Sequence, residues 1–215
     1  MFDTAQVQLP SGLKLGAQAG ARFLLAKIAA DAAITAAPCG VAWAAYMLAT
    51  VEHETARSFV PVEEIGRGEG KPYGVVLQVA CACEMTGNNR AMRLGKAAQN
   101  TLRQNVYYGR GYVQLTWQSN YSRLGQALGM GRLLMEQPEV ALQPEIAYEI
   151  LSYGMTRGAF TGKRLGNYLN TGGENFVEAR RIVNGLDAAE EIAALATAWE
   201  ARLRAASVQT AATAA

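Results

Sequence analysis

Three glutamates carry the chemistry open to this chain: Glu54 at the end of an apolar run, and Glu63 with Glu64 just past Pro61. Met47, Val51 and Glu54 recur at helical spacing, and Val41 to Thr50 is almost wholly apolar or small, so Glu54 is expected on the buried-leaning stripe of a helix, near its C-terminal end. Burial and the negative end of a helix both disfavour a carboxylate, so this side chain is expected to become a carboxylic acid able to donate a proton near neutral pH. Pro61 breaks any continuing helix and sends Glu63 and Glu64 into a loop, where two carboxylates on either side of a turn can face each other across a groove. The plainer alternative is a solvated charge pair at Glu63 and Glu64, the commonest fate of glutamate.

A second segment, Tyr107 to Trp117, offers a polar shelf. Gly109 and Gly111 flank Arg110 and allow close approach to the main chain. Val113, Leu115 and Trp117 alternate with Gln114 and Thr116, the period of a short strand whose amide and hydroxyl share one face. With Tyr107, Tyr108 and Tyr112 nearby, that face suits a ligand rich in hydroxyl and acetamido groups, because rings take the apolar side of a sugar while amides fix its polar edge. A hairpin turn with an aromatic core behind it is the alternative.

The elements that must position these groups read as mainly helical. Gly20 to Ala37 and Val41 to Arg57 are expected helices separated by Pro38-Cys39-Gly40, and another starts around Asn120. Pro144 suits the first position of a helix carrying Ile146, Ile150 and Leu151. Phe176, Ala179 and Val183 mark a helix stopped by Asn184-Gly185, and Asp187 with Glu190 reads as a capping box opening the last one. The expected fold is α+β, mainly α-helical and lysozyme-like, two-lobed with a central groove and a small β element. One domain covers 1–204, with an unassigned insert around 66–104 (Glu84 and Asn88-Asn89 within it, a lid or extra helix), and 205–215 reads as a flexible tail.

Composition removes several classes of function. His53 is the only histidine, so neither a histidine triad nor a multi-histidine metal site can be built, and a hydrogen-bonded scaffold role is expected for it. Cys39, Cys81 and Cys83 are odd in number and read as reduced thiols, with no zinc cluster. No metal or other cofactor is expected. A net charge of +2, dispersed along the chain, argues against nucleic-acid binding. Gly66-Arg67-Gly68-Glu69-Gly70 lacks the Gly-Lys-Ser/Thr of a phosphate loop and reads as a connector. Neither a signal peptide nor a membrane span is expected.

The blocks His53-Glu54-Thr55, Tyr107-Tyr108-Gly109-Arg110-Gly111, Gln114-Leu115-Thr116-Trp117, Asn120-Tyr121 and Arg181-Ile182-Val183-Asn184-Gly185 resemble, in order, the signature blocks of glycoside hydrolase family 19. That family holds plant-type chitinases and many bacteriophage endolysins, and the compact chain looks more like the phage branch. The resemblance implies Glu54 as general acid, Glu64 as general base with Glu63 the close alternative, and Thr116 holding the attacking water. It implies substrate-binding roles for Gln114, Asn120 and Asn184, beside Tyr108 and Tyr112 of the shelf, and supporting roles for His53, Arg110 and Arg181. Family members invert, which requires about 6.5 to 9.5 Å between the carboxyl groups to seat the water. The implied activity is hydrolysis of peptidoglycan β-1,4 bonds by a monomeric endolysin held in the host cytoplasm until a separate factor releases it to the wall. A chitinase is the second reading, and an inactive wall-binding or virion component the third.

Overall fold

The computed structural model describes residues 2–81 and 101–213. In chain order the elements are α1 (Leu15–Ala30), α2 (Ala32–Thr35), α3 (Gly40–Glu54), β1 (Val62–Glu63), β2 (Leu77–Cys81), β3 (Thr101–Asn105), β4 (Arg110–Gly111), α4 (Gln118–Ala127) and α5 (Leu133–Glu136). Then come α6 (Pro144–Arg157), α7 (Leu165–Tyr168), β5 (Leu169–Asn170), β6 (Gly173–Glu174) and α8 (Ala189–Thr213). The chain forms two compact units: residues 1–60 with 148–215, and residues 61–147.

The first unit is built around α3. From Ala44 to Glu52 every residue of this helix is buried, the condition in which an apolar helix needs no polar face. Its alanines let neighbours approach closely, and α8 packs along it, with Phe59 edge-on to Trp199 at 6.0 Å. The buried carboxylate of Glu52 accepts from Trp199 Nε1 at 2.8 Å and from Arg57 Nε at 3.1 Å, so it is paired and not left as an orphan charge.

Helix α3 stops at Glu54, short of the Arg57 expected from sequence, because Ala56, Arg57 and Phe59 take positive φ of 47°, 65° and 53°. Gly20 accommodates that turn: a Cβ there would lie 2.2 Å from the Phe59 carbonyl oxygen. The single helix expected over 20–37 is two, divided at Asp31. Its backbone is extended and its carboxylate accepts from the Ala33 amide, while Oδ2 takes the hydroxyls of Tyr148 at 2.9 Å and Ser152 at 2.5 Å. Pro144 begins α6 as expected. The helix expected around Phe176 to Val183 is a 3₁₀ turn over Glu178–Ile182. Helix α8 runs on to Thr213, through the stretch read from sequence as a tail.

The second unit is a set of short antiparallel pairs beside small helices. Strand β1 pairs with β4 in the register Val62↔Gly111 and Glu63↔Arg110, and β2 pairs with β3. The outer parts of the 66–104 insert therefore form a connector and an antiparallel strand pair, while Cys83, Glu84 and Asn88-Asn89 lie outside the described residues. No strand runs through Val113 to Trp117. The chain turns tightly after β4 and comes back through a single bridge, Arg110↔Leu115, with Gln114 at φ 51° and Trp117 at φ 68°. The hairpin-turn alternative is the correct one, and buried Tyr107, Tyr112 and Tyr121 form the aromatic core behind it.

Among the described residues no helix is long and apolar enough to cross a membrane, and no group of three or more potential ligands is arranged to hold a metal ion.

Candidate active site

In the first unit Glu54 closes α3 and accepts from Arg180 Nη1 at 2.6 Å. This is not the apolar wall expected from the stripe Met47-Val51-Glu54. The side chains are 16% exposed for Glu54 and 4% for Arg180, so the pair is held largely out of water. Arg180 is itself fixed: its Nε donates to the Asp187 carbonyl at 3.1 Å and its Nη2 to Asp187 Oδ2 at 3.3 Å. That use of Asp187 replaces the capping box expected with Glu190. Tyr46, two turns before Glu54 on the same helix face, stacks parallel to Phe176, and burial pushes its phenol well up from the ordinary value. His53 faces Glu191 at 3.4 Å.

In the second unit the two loop glutamates point to different partners. Glu63 Oε1 accepts from the Tyr108 hydroxyl at 2.8 Å and Oε2 from Arg67 Nη2 at 3.0 Å, and its side chain is 34% exposed. The Tyr108 hydroxyl holds the Glu63 carboxyl below its usual range against the opposing effect of burial, with smaller help from Arg67 and the charge of Arg110. Glu64 spends both oxygens on the fold: Oε1 accepts from the Tyr73 hydroxyl at 2.8 Å and Oε2 from the Gly109 amide at 2.9 Å. Glu64 lies just past the end of β1, where its amide donates to the Gly109 carbonyl at 2.8 Å.

Arg110 lies under this arrangement and is 5% exposed. Its guanidinium carbon sits 3.5 Å from the centroid of the Tyr108 ring, and Nη1 donates to the carbonyls of Val106 and Tyr108 and to the Tyr121 hydroxyl.

The remaining expected site residues divide between inward braces and accessible groups. Gln114 donates Nε2 to the Val62 carbonyl at 3.2 Å, and a Cβ at residue 109 would meet its Oε1 at 2.6 Å, so this amide packs the turn against Gly109. Tyr108 and Tyr112 are buried, at 7% and 1% exposure, and face the core. Asn120 lies in the first turn of α4 as expected and donates to the Thr116 carbonyl at 2.9 Å; Thr116 itself is partly exposed. Asn184 is exposed. Arg181 pairs with Glu178 at 2.7 Å and not with a site carboxylate, so the brace read onto it belongs to its neighbour Arg180.

Two groups went unread in the sequence. Arg180 could have been found only by knowing that a 3₁₀ turn, and not an α-helix, carries it. Trp117, 46% exposed and edge-on to Tyr73 at 5.7 Å, is the ring that the second unit offers outward. Its positive φ at the start of α4 holds it there.

This fold is shared with solved glycosidases. Chitinase C from Streptomyces griseus HUT6037 aligns over 86% of this chain and 83% of its own, with a TM-score of 0.53 at 24% identity. A mutant of chitinase C aligns over 85% and 83%, with a TM-score of 0.55 at 23% identity. The expected mainly helical, lysozyme-like α+β class is therefore the fold of this protein. The family model of glycoside hydrolase family 19, chitinase class I, matches residues 30–159, and the chain belongs to that family. Two curated relatives match locally: the acidic 26 kDa endochitinase of Solanum lycopersicum, 52% identical over 44 residues, and acidic endochitinase pcht28 of Solanum chilense, 54% identical over 43. In each case the match spans 20% of this chain and 17% of the relative.

Proposed function

We propose that this glycoside hydrolase cleaves β-1,4 bonds between N-acetylated amino sugars with inversion, that its polymer is the peptidoglycan of a bacterial wall, and that it works as a monomeric endolysin released to the wall by a separate factor. Glu54 gives its proton to the departing glycosidic oxygen, and the carboxylate that forms meets a guanidinium already in place at 2.6 Å. Glu63 takes the proton of the water whose oxygen attacks the anomeric carbon as the bond to the leaving sugar breaks. Thr116 steadies that water.

The observation that carries the choice of base is the division of labour between adjacent glutamates: Glu63 is partly exposed and held ionised by Tyr108, while Glu64 has both oxygens committed to the backbone and Tyr73. The reading therefore moves the base from Glu64, first choice on sequence, to Glu63.

A chitinase is the second reading, favoured by the names of the relatives and of the family. Purified wall sacculi and soluble chitin oligomers digested side by side separate the two. Release of wall fragments with an α-anomeric reducing end, and little cutting of chitin, is the expected result. Fast chitin cleavage with intact sacculi transfers the assignment to chitin. No products from either, with a folded protein, supports an inactive wall-binding or virion component.

A further inference from the structure

Arg110 presents an unexplained cost. It is a buried cation with no carboxylate within ion-pair distance among the described residues, and its Nε is buried without a hydrogen-bond partner. Burying a charge on such terms is expensive, and holding the Val106 and Tyr108 carbonyls in place needs only a neutral donor. The position of its guanidinium is more specific than that task demands. It lies flat against one phenol, 3.5 Å from the ring centroid, and that phenol is the one whose hydroxyl donates to Glu63 at 2.8 Å.

We propose that Arg110, Tyr108 and Glu63 form a relay in which the guanidinium, pressed on the face of the Tyr108 ring, strengthens the phenol as a hydrogen-bond donor and so keeps the Glu63 carboxylate ionised and aimed. The inference rests on the reading of Glu63 as base and makes Tyr108 and Arg110 positioning residues for it. A cation over an aromatic face draws electron density from the ring, which makes its hydroxyl a better donor to an anion. Burial and the bond to Glu63 push the Tyr108 phenol up from its ordinary value, while Arg110 works in the opposite direction, so the proton stays on the phenol and is shared toward the carboxylate. Arg67 also faces Glu63, but its side chain is 70% exposed and solvent screens it. Glu64 and Tyr73 bond to each other and leave the Glu63 oxygens to Tyr108 and Arg67.

The test is the titration of the Glu63 carboxyl by carbon-13 NMR in the wild type, Tyr108→Phe and Arg110→Lys, assigned with Glu63→Gln, alongside the pH profile of kcat/KM. Tyr108→Phe keeps the ring and loses the hydroxyl; the Glu63 titration and the acidic limb of the profile should both move up by about one pH unit. Arg110→Lys keeps the charge but loses the flat stacking, and should move both the same way by about half as much. A relay also requires non-additivity: once Tyr108 is Phe, Arg110→Lys should add little.

A shift in Tyr108→Phe alone overturns the relay, because Arg110 then has no part in it. Unmoved titrations in both variants overturn it entirely. If a variant does not fold, wild-type chain carrying 3-fluorotyrosine, a stronger donor, must titrate Glu63 lower, and an unmoved value is equally fatal. Shifted titrations in a protein that cleaves no polymer would keep the relay and remove the hydrolase reading.

Discussion

Glu54 and Glu63 are the same amino acid in opposite settings. Glu54 ends a fifteen-residue helix buried along most of its length, and its partner is a guanidinium fixed on both remaining sides by Asp187. Glu63 sits on a two-residue strand, a third exposed, and its chief partner is a neutral phenol. A helix buried on every side resists rotation, so its terminal carboxyl is placed by the core. A two-residue strand has no such support, and hydrogen bonds from side chains must do the placing. Position is carried by packing in one unit and by polar contacts in the other, so substitutions should separate activity from stability differently in each.

The largest effects should come from the first unit. Glu54→Gln keeps a carbonyl oxygen for Arg180 and should preserve the fold, while product release falls by about 10²–10⁴-fold. Arg180→Met should instead strike stability, since removing one member of a largely buried pair strands the other; a loss of about 3–5 kcal/mol in urea unfolding is expected. If Arg180→Met leaves the unfolding midpoint unchanged, the pair is better solvated than its 4% and 16% exposures imply.

In the second unit the adjacent glutamates should break in opposite ways. Glu63→Gln should cost about 10²-fold or more in turnover with little change in stability. For Glu64→Gln, two anchors are weakened at once, and a stability loss of about 1–3 kcal/mol is expected with activity per folded molecule within an order of magnitude. The reverse pattern would return the base to Glu64 and dissolve the contrast between a placed acid and a tethered base.

How much of this was legible beforehand follows from the same contrast. Helix α3 and the place of Glu54 near its end were readable because a long apolar run can be satisfied in few ways, and Pro144 announces α6 because its ring suits a first helical position. The family blocks were readable as words. The shelf was misread because alternation in Val113 to Trp117 is also compatible with a turn, and nothing marks Gln114 or Trp117, neither of them glycine, as adopting positive φ. Arg180 and Arg181 are neighbours in a 3₁₀ turn, where a helical register assigns the inward face wrongly. Asp187 reads as a cap by local rules, yet its carboxylate and carbonyl are taken by Arg180, a contact made within the fold and not by local spacing.

The smallest expected effect is the pH dependence of the tether on Glu63. Its carboxyl is held below the usual range in the folded chain, chiefly by the Tyr108 hydroxyl. Above the unfolded value, near 4.3 for a glutamate, the carboxyl is ionised in both states and the stabilisation is present in full; between that value and the lower folded one, the folded state binds fewer protons than the unfolded chain. As pH falls through the lower folded value the carboxyl is protonated and the stabilisation disappears. Urea midpoints of wild type and Glu63→Gln should therefore lie apart at pH 6 and draw together toward pH 3. Arg67→Ala should shift the wild-type midpoint by no more than about 0.5 kcal/mol at either pH, because the ion pair is exposed and screened. A pH-dependent gap that vanishes in Arg67→Ala would make the salt bridge, and not the phenol, the group that holds Glu63. The Glu63 carboxyl would then be placed by charge and not by a neutral hydrogen bond.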